Sequence, residues 1–208
     1  MGRLRKVRIG VLGGSFNPIH LGHLFAAEEV MHALSLEQVI FMTSPRPPLK
    51  EEADLLDAES RYLMAALATS SNPRFSISRM EMERPGISYT VDTMEELKKG
   101  YPQHVGFFFI LGTDAAFELD SWKDPERLLE LCGLAVVSRP GFDREKALAG
   151  ASSRVRELLA RREVRFVETE GLDISSTEIR KRVRQGRPYR YLLPEAVASF
   201  IENHGIYR

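Results

Sequence analysis

A short apolar segment near the start of the chain runs directly into a glycine-rich turn, and this junction constrains the fold more than any other stretch. Residues 7–12 have the pattern of a buried strand, and Gly13 and Gly14 let the backbone bend sharply and approach a ligand. Asn17 suits the N-cap of a helix, and Pro18 suits its first position, where a missing N–H is harmless. The stretch therefore predicts a strand, a tight turn and a helix, the opening unit of an α/β fold.

Two histidines fall at the start of that helix. His20 is expected in its first turn and His23 three residues later, so both rings would share one helical face beside backbone N–H groups without helical partners. Such a helix start attracts phosphate, to which imidazoles can donate hydrogen bonds. Two other interpretations stay open. The rings could fill space or cap the turn, or they could ligate a metal, although Cys132 and the other histidines fit no metal-ligand pattern.

A second motif stands near the other end of the chain. Ser175 followed by Glu178 fits a capping box at a helix start, and Arg180 lies four residues after Ser176 on the same helical face. A hydroxyl, a helix start and an arginine together make a second anion site. Two such sites on one edge of a sheet favour a nucleoside triphosphate as the ligand.

Taken together, the two motifs resemble the signature of the nucleotidyltransferase superfamily of Rossmann-like enzymes. Residues 14–23 match its Gly-x-Phe-x-Pro-x-His-x-Gly-His pattern, and residues 174–180 match its Ile-Ser-Ser-Thr-x-x-Arg pattern. Further matching motifs extend the resemblance over residues 7–191. Within the superfamily, the sequence is similar to the bacterial nicotinate-nucleotide adenylyltransferases.

The apolar segments predict an α/β fold, and the resemblance implies a Rossmann-like, doubly wound parallel sheet in a single domain of residues 1–208. A C-terminal helical part, about residues 175–208, would carry the second motif. Strands are expected at residues 7–12, 39–42, 75–80, 105–111, 134–137 and 164–167. Two helices are expected to end near residues 34 and 99, and four more are expected at residues 58–71, 125–131, 145–162 and 194–203. The apolar repeat of the helix at 58–71 is Tyr62, Leu63, Ala66 and Leu67, and the helix at 145–162 is expected to be solvated.

Several residues that follow predicted strands are candidates for ligand contact, since ligands of open α/β sheets bind at the carboxyl edge. Lys50 closes a proline-rich segment after the second strand, and Leu49 stands where the family usually has histidine. Gly112 and Asp114 follow the most apolar strand, and Arg139 follows the next one. From the residues alone, a solvated Lys50, an N-capping Asp114 and an exposed loop Arg139 are the alternatives.

Two further residues gain a ligand role through the resemblance. Thr90 could cap a helix, and the matching family segment helps to hold the nicotinate carboxylate, so we expect it to do both. Trp122 is the only tryptophan, and packing is the ordinary role of such a residue. The family's Leu-x-x-Trp pattern instead implies that its indole lies against the nicotinate ring, where stacking adds about 1 kcal/mol.

The positions of these residues and the resemblance together predict three groups of functional residues. The catalytic group is His20, His23 and Arg180. The ATP-binding group is Gly13, Gly14, Ser15, Phe16, Gly112, Asp114, Ser175 and Ser176. The mononucleotide-binding group is Lys50, Thr90, Trp122 and Arg139. No protein ligand for a metal is expected, because Mg²⁺ would be held mainly by the phosphates of ATP.

The implied activity is adenylyl transfer from ATP to nicotinate mononucleotide, which yields nicotinic acid adenine dinucleotide (deamido-NAD) and pyrophosphate in NAD biosynthesis. Such a displacement needs two anions in position and charge stabilisation, and no nucleophilic side chain. Transfer to nicotinamide mononucleotide or phosphopantetheine, or nucleotide binding by a non-catalytic regulator, stays open. A histidine-nucleophile phosphatase lacks an acid partner fixed by sequence, and residues 10–14 do not give the Gly-x-Gly-x-x-Gly pattern of a dinucleotide-dependent oxidoreductase.

The charge balance bears on the partners. The 29 basic and 29 acidic residues leave a formal net charge of +0, so neither nucleic acid nor a membrane surface is an expected partner. One cysteine excludes an internal disulfide, and the sequence has no recognisable signal peptide or membrane span. We therefore expect a cytoplasmic protein, with a homo-oligomer left open.

Overall fold

A six-stranded sheet dominates the computed structural model, which describes residues 7–45, 55–139 and 141–208. Its strands are β1 (Arg8–Gly14), β2 (Gln38–Thr43), β3 (Phe75–Ser78), β4 (Gly106–Gly112), β5 (Gly133–Ser138) and β6 (Val164–Glu168). They lie in the order β3-β2-β1-β4-β5-β6, and every neighbouring pair is parallel. This is the strand order of a doubly wound Rossmann sheet, so the expected fold class is confirmed.

Helices connect the strands and cover both faces of the sheet. They are α1 (Leu21–Ala33), α2 (Ala58–Thr69), α3 (Met80–Glu83), α4 (Thr90–Lys99), α5 (Thr113–Phe117), α6 (Pro125–Leu131), α7 (Arg144–Gly150), α8 (Ser153–Leu159), α9 (Ser176–Arg184) and α10 (Glu195–Asn203). Short 3₁₀ turns occupy Leu119–Ser121 and Arg190–Leu192. None of the helices in the described residues is both long and apolar enough to cross a bilayer.

Alternating side chains of the strands divide the core into two layers. On one face, Val11 and Phe109 pack in a cluster with residues of α4, α5, α6 and α8. On the other face, Leu12 and Phe41 pack in a cluster with residues of α1, α2, α9 and α10. The central strands are therefore covered on both sides, which explains why they form nearly continuous apolar runs in the sequence.

The segment at residues 145–162 differs from the expectation of one solvated helix. It divides into α7 and α8, because Ser152 starts a new helix by accepting a hydrogen bond from the backbone N–H of Val155 at 3.1 Å. The second of these helices is not solvated throughout, since it buries Val155, Leu158 and Leu159.

The inward face of α2 also differs from the predicted one. Leu63 and Leu67 are 41% and 38% exposed. The buried residues of α2 are Arg61, Met64, Ala65, Ala68 and Thr69. The helix is turned so that Arg61 points inward, where its guanidinium finds backbone acceptors described below.

Candidate functional site

The two central strands end side by side at one edge of the sheet. Leu12 of β1 is in register with Ile110 of β4, so Gly14 and Gly112 terminate neighbouring strands at the same edge. The helix after β1 packs on one face of the sheet and the helix after β4 on the other. Such a change of side opens a crevice beyond the carboxyl ends of the strands, which is where open α/β sheets bind ligands.

The turn after β1 has a different geometry from the predicted one. α1 begins at Leu21 with His20 as its N-cap, and the Asn17–Pro18 bond is cis, so neither Asn17 nor Pro18 belongs to the helix. The physical reason is that the Asn17 side chain serves tertiary contacts. Its Oδ1 accepts hydrogen bonds from the Leu56 backbone N–H at 3.3 Å and from the Tyr207 hydroxyl at 2.7 Å.

The glycines of this turn make room for aromatic rings. A Cβ at Gly13 would lie 2.9 Å from the ring of Phe109, and one at Gly14 would lie 3.0 Å from the ring of Phe16. Phe16 has a φ of +46° and is buried, so it closes the turn from within. Its ring meets that of His23 edge-on, with the centroids 5.3 Å apart.

The two predicted histidines are in direct contact. The rings of His20 and His23 stack with their centroids 3.7 Å apart, as expected for neighbours on one side of the helix start. The backbone N–H of His20 donates to Nδ1 of His23 at 3.2 Å. Because Nδ1 is an acceptor, a neutral His23 carries its proton on Nε2, which makes that atom a hydrogen-bond donor.

The environment of His20 keeps its ring neutral. The residue is 6% exposed, and burial, assisted by the positive charge of Arg139, lowers its pKa to about 4. Its Nδ1 is buried and has no hydrogen-bond partner among the described residues. A Cβ at Gly22 would lie 3.0 Å from this nitrogen, so the glycine leaves space for the ring. A bound polyanion would oppose the effect of Arg139 and favour the protonated ring.

The second motif reaches the turn from α9. The Ser176 hydroxyl donates to the backbone oxygen of Pro18 at 2.8 Å, and Nη1 of Arg180 donates to the backbone oxygen of Asn17 at 2.9 Å. Nε of Arg180 is buried without a hydrogen-bond partner in the part of the chain described. The predicted convergence of the two motifs at one edge of the sheet is therefore present.

Ser175 caps α9 by accepting a hydrogen bond from the backbone N–H of Glu178 at 3.2 Å. The Glu178 carboxylate pairs with Arg182 and Arg187, at 3.0 and 3.4 Å. The serine half of the predicted capping box is therefore present. The Glu178 carboxylate binds the two arginines that follow it and not the start of the helix.

Arg139 lies at the same edge, after β5. Its side chain is 67% exposed and pairs with Asp173, whose carboxylate is 2.8 Å away in the segment that precedes α9. Its positive charge adds to the effect of burial, which is the larger cause of the lowered pKa of His20. Arg139 is thus an exposed loop arginine and also a neighbour of the histidine pair.

Gly112 ends β4 and Asp114 follows two residues later, and the start of α5 has no side-chain cap. Gly112 is the N-cap residue, and a Cβ there would meet nothing within 4 Å. Asp114 lies inside the first turn of α5, so the N-cap alternative is wrong for this residue.

Thr90 and Trp122 lie on the α4 side of the sheet. Thr90 is the first residue of α4 and Tyr89 is the N-cap, so the expected capping role of Thr90 is wrong. Trp122 is half-buried and meets Phe109 edge-on, with the ring centroids 6.0 Å apart. Since Phe109 also borders Gly13, this packing links Trp122 to the glycine turn. Lys50 and Leu49 lie outside the described residues.

Arg61 is a site residue that the sequence pattern does not reveal. It has 0% exposure, and it donates hydrogen bonds of 2.7–2.9 Å to four backbone oxygens. These belong to Ser15 in the glycine turn, Ser44 and Pro45 after β2, and Leu56 before α2. An arginine is normally assigned to the polar face of a helix, and its acceptors here are main-chain atoms, so no side-chain pattern marks them.

Known proteins share this arrangement of sequence and fold. Residues 11–182 match the family model described as cytidylyltransferase-like. The "Probable nicotinate-nucleotide adenylyltransferase" of Moorella thermoacetica is 44% identical over 204 residues, covering 98% of this chain and 93% of that protein. A protein of the same name from Thermus thermophilus is 46% identical over 202 residues, covering 97% of this chain and 100% of that protein.

Among solved structures, the Plasmodium falciparum nicotinic acid mononucleotide adenylyltransferase complexed with NaAD has the same fold. The TM-score is 0.75 at 17% identity, with 97% of each chain covered. The chain therefore belongs to the cytidylyltransferase-like family and, within it, to the nicotinate-nucleotide adenylyltransferases.

Proposed function

We propose that this protein transfers the adenylyl group of ATP to nicotinate mononucleotide, forming nicotinic acid adenine dinucleotide and pyrophosphate. The observation that carries the proposal is the junction of the two motifs. Ser176 and Arg180 bind the backbone at Pro18 and Asn17, directly before the stacked imidazoles of His20 and His23. This junction lies at the carboxyl ends of the two central strands, where open α/β sheets bind ligands. The names of the relatives and the fold of the solved structure support a nucleotide as the ligand.

ATP would lie along the junction. The turn of Gly13, Gly14, Ser15 and Phe16 would border its α-phosphate, while Ser175, Ser176 and Arg180 at the start of α9 would bind the β- and γ-phosphates. Gly112, which offers open space, and Asp114 in the first turn of α5 would contact the adenosine. The buried and unpartnered Nε of Arg180 supports this assignment, since the described protein atoms leave it without an acceptor.

Catalysis would rest on position and charge. The 5′-phosphate of the mononucleotide attacks the α-phosphorus in line, and the bond to the pyrophosphate leaving group breaks. His23 would donate from Nε2 to a phosphate oxygen, because its Nδ1 is already bonded to the backbone N–H of His20. His20 would gain a proton as negative charge accumulates beside it, and Arg180 would stabilise the departing pyrophosphate.

Nicotinate mononucleotide would lie on the α4 side. The N-terminal amides of α4 near Thr90 suit a carboxylate, and the Trp122 indole suits the pyridine ring. Arg139, at the carboxyl end of β5, would bind a phosphate, and Lys50 would do so from the segment after β2. The balanced charge of the whole chain supports a small anionic substrate in preference to nucleic acid.

Mg²⁺ would enter with ATP, held by phosphate oxygens and water, which is how this small ion usually binds nucleotides. Its chemistry there is to neutralise charge on the phosphates. The described residues contain no group of three His, Cys, Asp or Glu side chains placed to hold a metal ion, so the proposal gives no side chain a ligand role.

The test compares phosphate substrates at fixed MgATP. The adenylylated product and pyrophosphate are measured with nicotinate mononucleotide, nicotinamide mononucleotide and phosphopantetheine. We expect kcat/KM for the nicotinate substrate to exceed that for the nicotinamide one at least about tenfold, because a carboxylate gains more than an amide from a helix N-terminus. Preference for another substrate would assign a different acceptor, and absence of pyrophosphate with all three would refute the transferase.

A further inference from the structure

The segment after α10 reaches the candidate site from a distant part of the chain. α10 ends in a Schellman motif, in which the N–H groups of Ile206 and Gly205 donate to the backbone oxygens of Ile201 and Glu202 at 3.1 and 3.3 Å. Gly205 has the φ of +61° that such an ending requires. The helix is therefore fully terminated before Tyr207.

Tyr207 nevertheless adopts a second left-handed conformation, with a φ of +65°. This region is unfavourable for a side chain with a Cβ, and such residues persist where other contacts hold them. The contact here is the hydroxyl of Tyr207, which donates to Oδ1 of Asn17 at 2.7 Å, 190 residues earlier in the chain. The bend at Tyr207 brings its phenol against the turn that precedes the histidines.

The hydroxyl shares its acceptor with a second donor. Oδ1 of Asn17 also accepts from the Leu56 backbone N–H at 3.3 Å, so both lone pairs of this oxygen are used and the orientation of the amide is fixed. The backbone oxygen of the same residue accepts from Arg180. Asn17 is thus held from three separate segments, and Tyr207 is the side-chain donor among them that has no role in the proposed phosphate site.

The surroundings keep the phenol a donor. Burial raises the pKa of Tyr207 far above any physiological pH, although the guanidinium groups of Arg180 and Arg61 are close enough to oppose the shift. Those two arginines hold the turn by its backbone oxygens at Asn17 and Ser15. The hydroxyl of Tyr207 therefore holds the side chain of the residue whose backbone oxygen Arg180 binds.

We propose that Tyr207 is a positioning residue for adenylyl transfer, which holds the Asn17 amide and thereby the turn that presents His20 and His23. This inference rests on the proposed function. It assigns Tyr207 no contact with substrate, so its effect must pass through the geometry of the turn. Loss of one anchor would broaden the positions of the two imidazoles, and small misplacements of catalytic groups lower the rate of the chemical step.

The test is Tyr207→Phe, which removes one oxygen and keeps the ring. We expect kcat to fall about five- to tenfold, the effect of one neutral hydrogen bond, while KM for both substrates stays within about twofold. Tyr189→Phe is the matched control, because it removes a phenolic hydroxyl that faces Glu202 in the same region and not Asn17. Thermal unfolding of both variants separates loss of stability from loss of rate.

A double-mutant cycle with Asn17→Ala identifies the route. Tyr207→Phe should cost little further in the Asn17→Ala background, because the acceptor is already gone. The inference is overturned if Tyr207→Phe leaves kcat unchanged, if Tyr189→Phe lowers kcat equally, or if the two changes of the cycle are additive. A wild-type protein that forms no dinucleotide would overturn the proposed function and this inference together, whereas an active wild type with an equally active Tyr207→Phe overturns the inference alone.

Discussion

Replacement of Arg61 by methionine should destabilise the protein strongly, although no carboxylate pairs with this arginine in the hydrogen bonds described. Its guanidinium donates to four backbone oxygens, and only that of Ser15 belongs to a buried residue. Water can replace the arginine at the other three oxygens, which belong to half-buried residues. Methionine keeps most of the apolar stem, so the change isolates the polar head.

The expected loss follows from these contacts. Hydrogen bonds to a charged donor contribute about 1.5–3 kcal/mol each, but burial of the guanidinium, which lowers its pKa, opposes part of that gain. Leaving the buried Ser15 oxygen without a donor costs about 1–3 kcal/mol, and we expect Arg61→Met to lie in that range. For a chain of this size the loss corresponds to a fall in Tm of about 2–12 °C.

Urea unfolding followed by circular dichroism measures the change. The matched control is Arg156→Met, because the guanidinium of Arg156 also donates to a backbone oxygen, that of Ala151 at 2.8 Å, but on the exposed surface. We expect the control to lose less than about 0.5 kcal/mol. A loss below about 1 kcal/mol for Arg61→Met would show that its four acceptors do not depend on it, and the reasoning would be refuted.

Three further results should follow. His23→Ala should lower kcat at least about a hundredfold and the free energy of unfolding by only about 1 kcal/mol, since it removes a phosphate donor and one helix cap; unchanged kcat would contradict the assignment. His20 has a pKa of about 4 in the folded protein against 6.5 for the free side chain, so it binds a proton more readily in the unfolded chain. The free energy of unfolding should therefore fall by about 3 kcal/mol as the pH drops from 6.5 towards 4, and His20→Asn should remove this pH dependence. Fluorescence of Trp122 should be quenched by nicotinate mononucleotide and not by ATP alone; equal quenching would separate the indole from the pyridine ring.

The fold was largely predictable because its central strands are buried on both faces. The strands β1, β2, β4 and β5 appear as short apolar runs, and the glycines that end β1 and β4 mark the edge of the sheet at which the ligand site is expected. Parallel order then follows from alternation with helices. The predicted meeting of Arg180 with the first motif is present for the same reason, since both follow strands of one sheet.

What escaped prediction depends on contacts between main-chain and side-chain atoms far apart in the sequence. Asn17 is a residue type that often caps helices, but its side chain accepts hydrogen bonds from Tyr207 and Leu56, and His20 is the N-cap. Arg61 is a residue type that usually lies on the surface, but its hydrogen bonds to four carbonyl groups place it on the buried face of α2. Local propensity does not depend on such distant partners, so it could not predict these contacts.

The pairing at the centre of the sheet bears on how the molecule reaches its native state. Arg8 lies beside Gly106, so the middle of the sheet forms only when two stretches about a hundred residues apart have met. Closing so long a loop slows folding, and until it closes β1 and β4 each keep one edge without a partner strand. A refolding chain should regain helical signal early and catalytic activity late, with the appearance of activity timing the slowest closure.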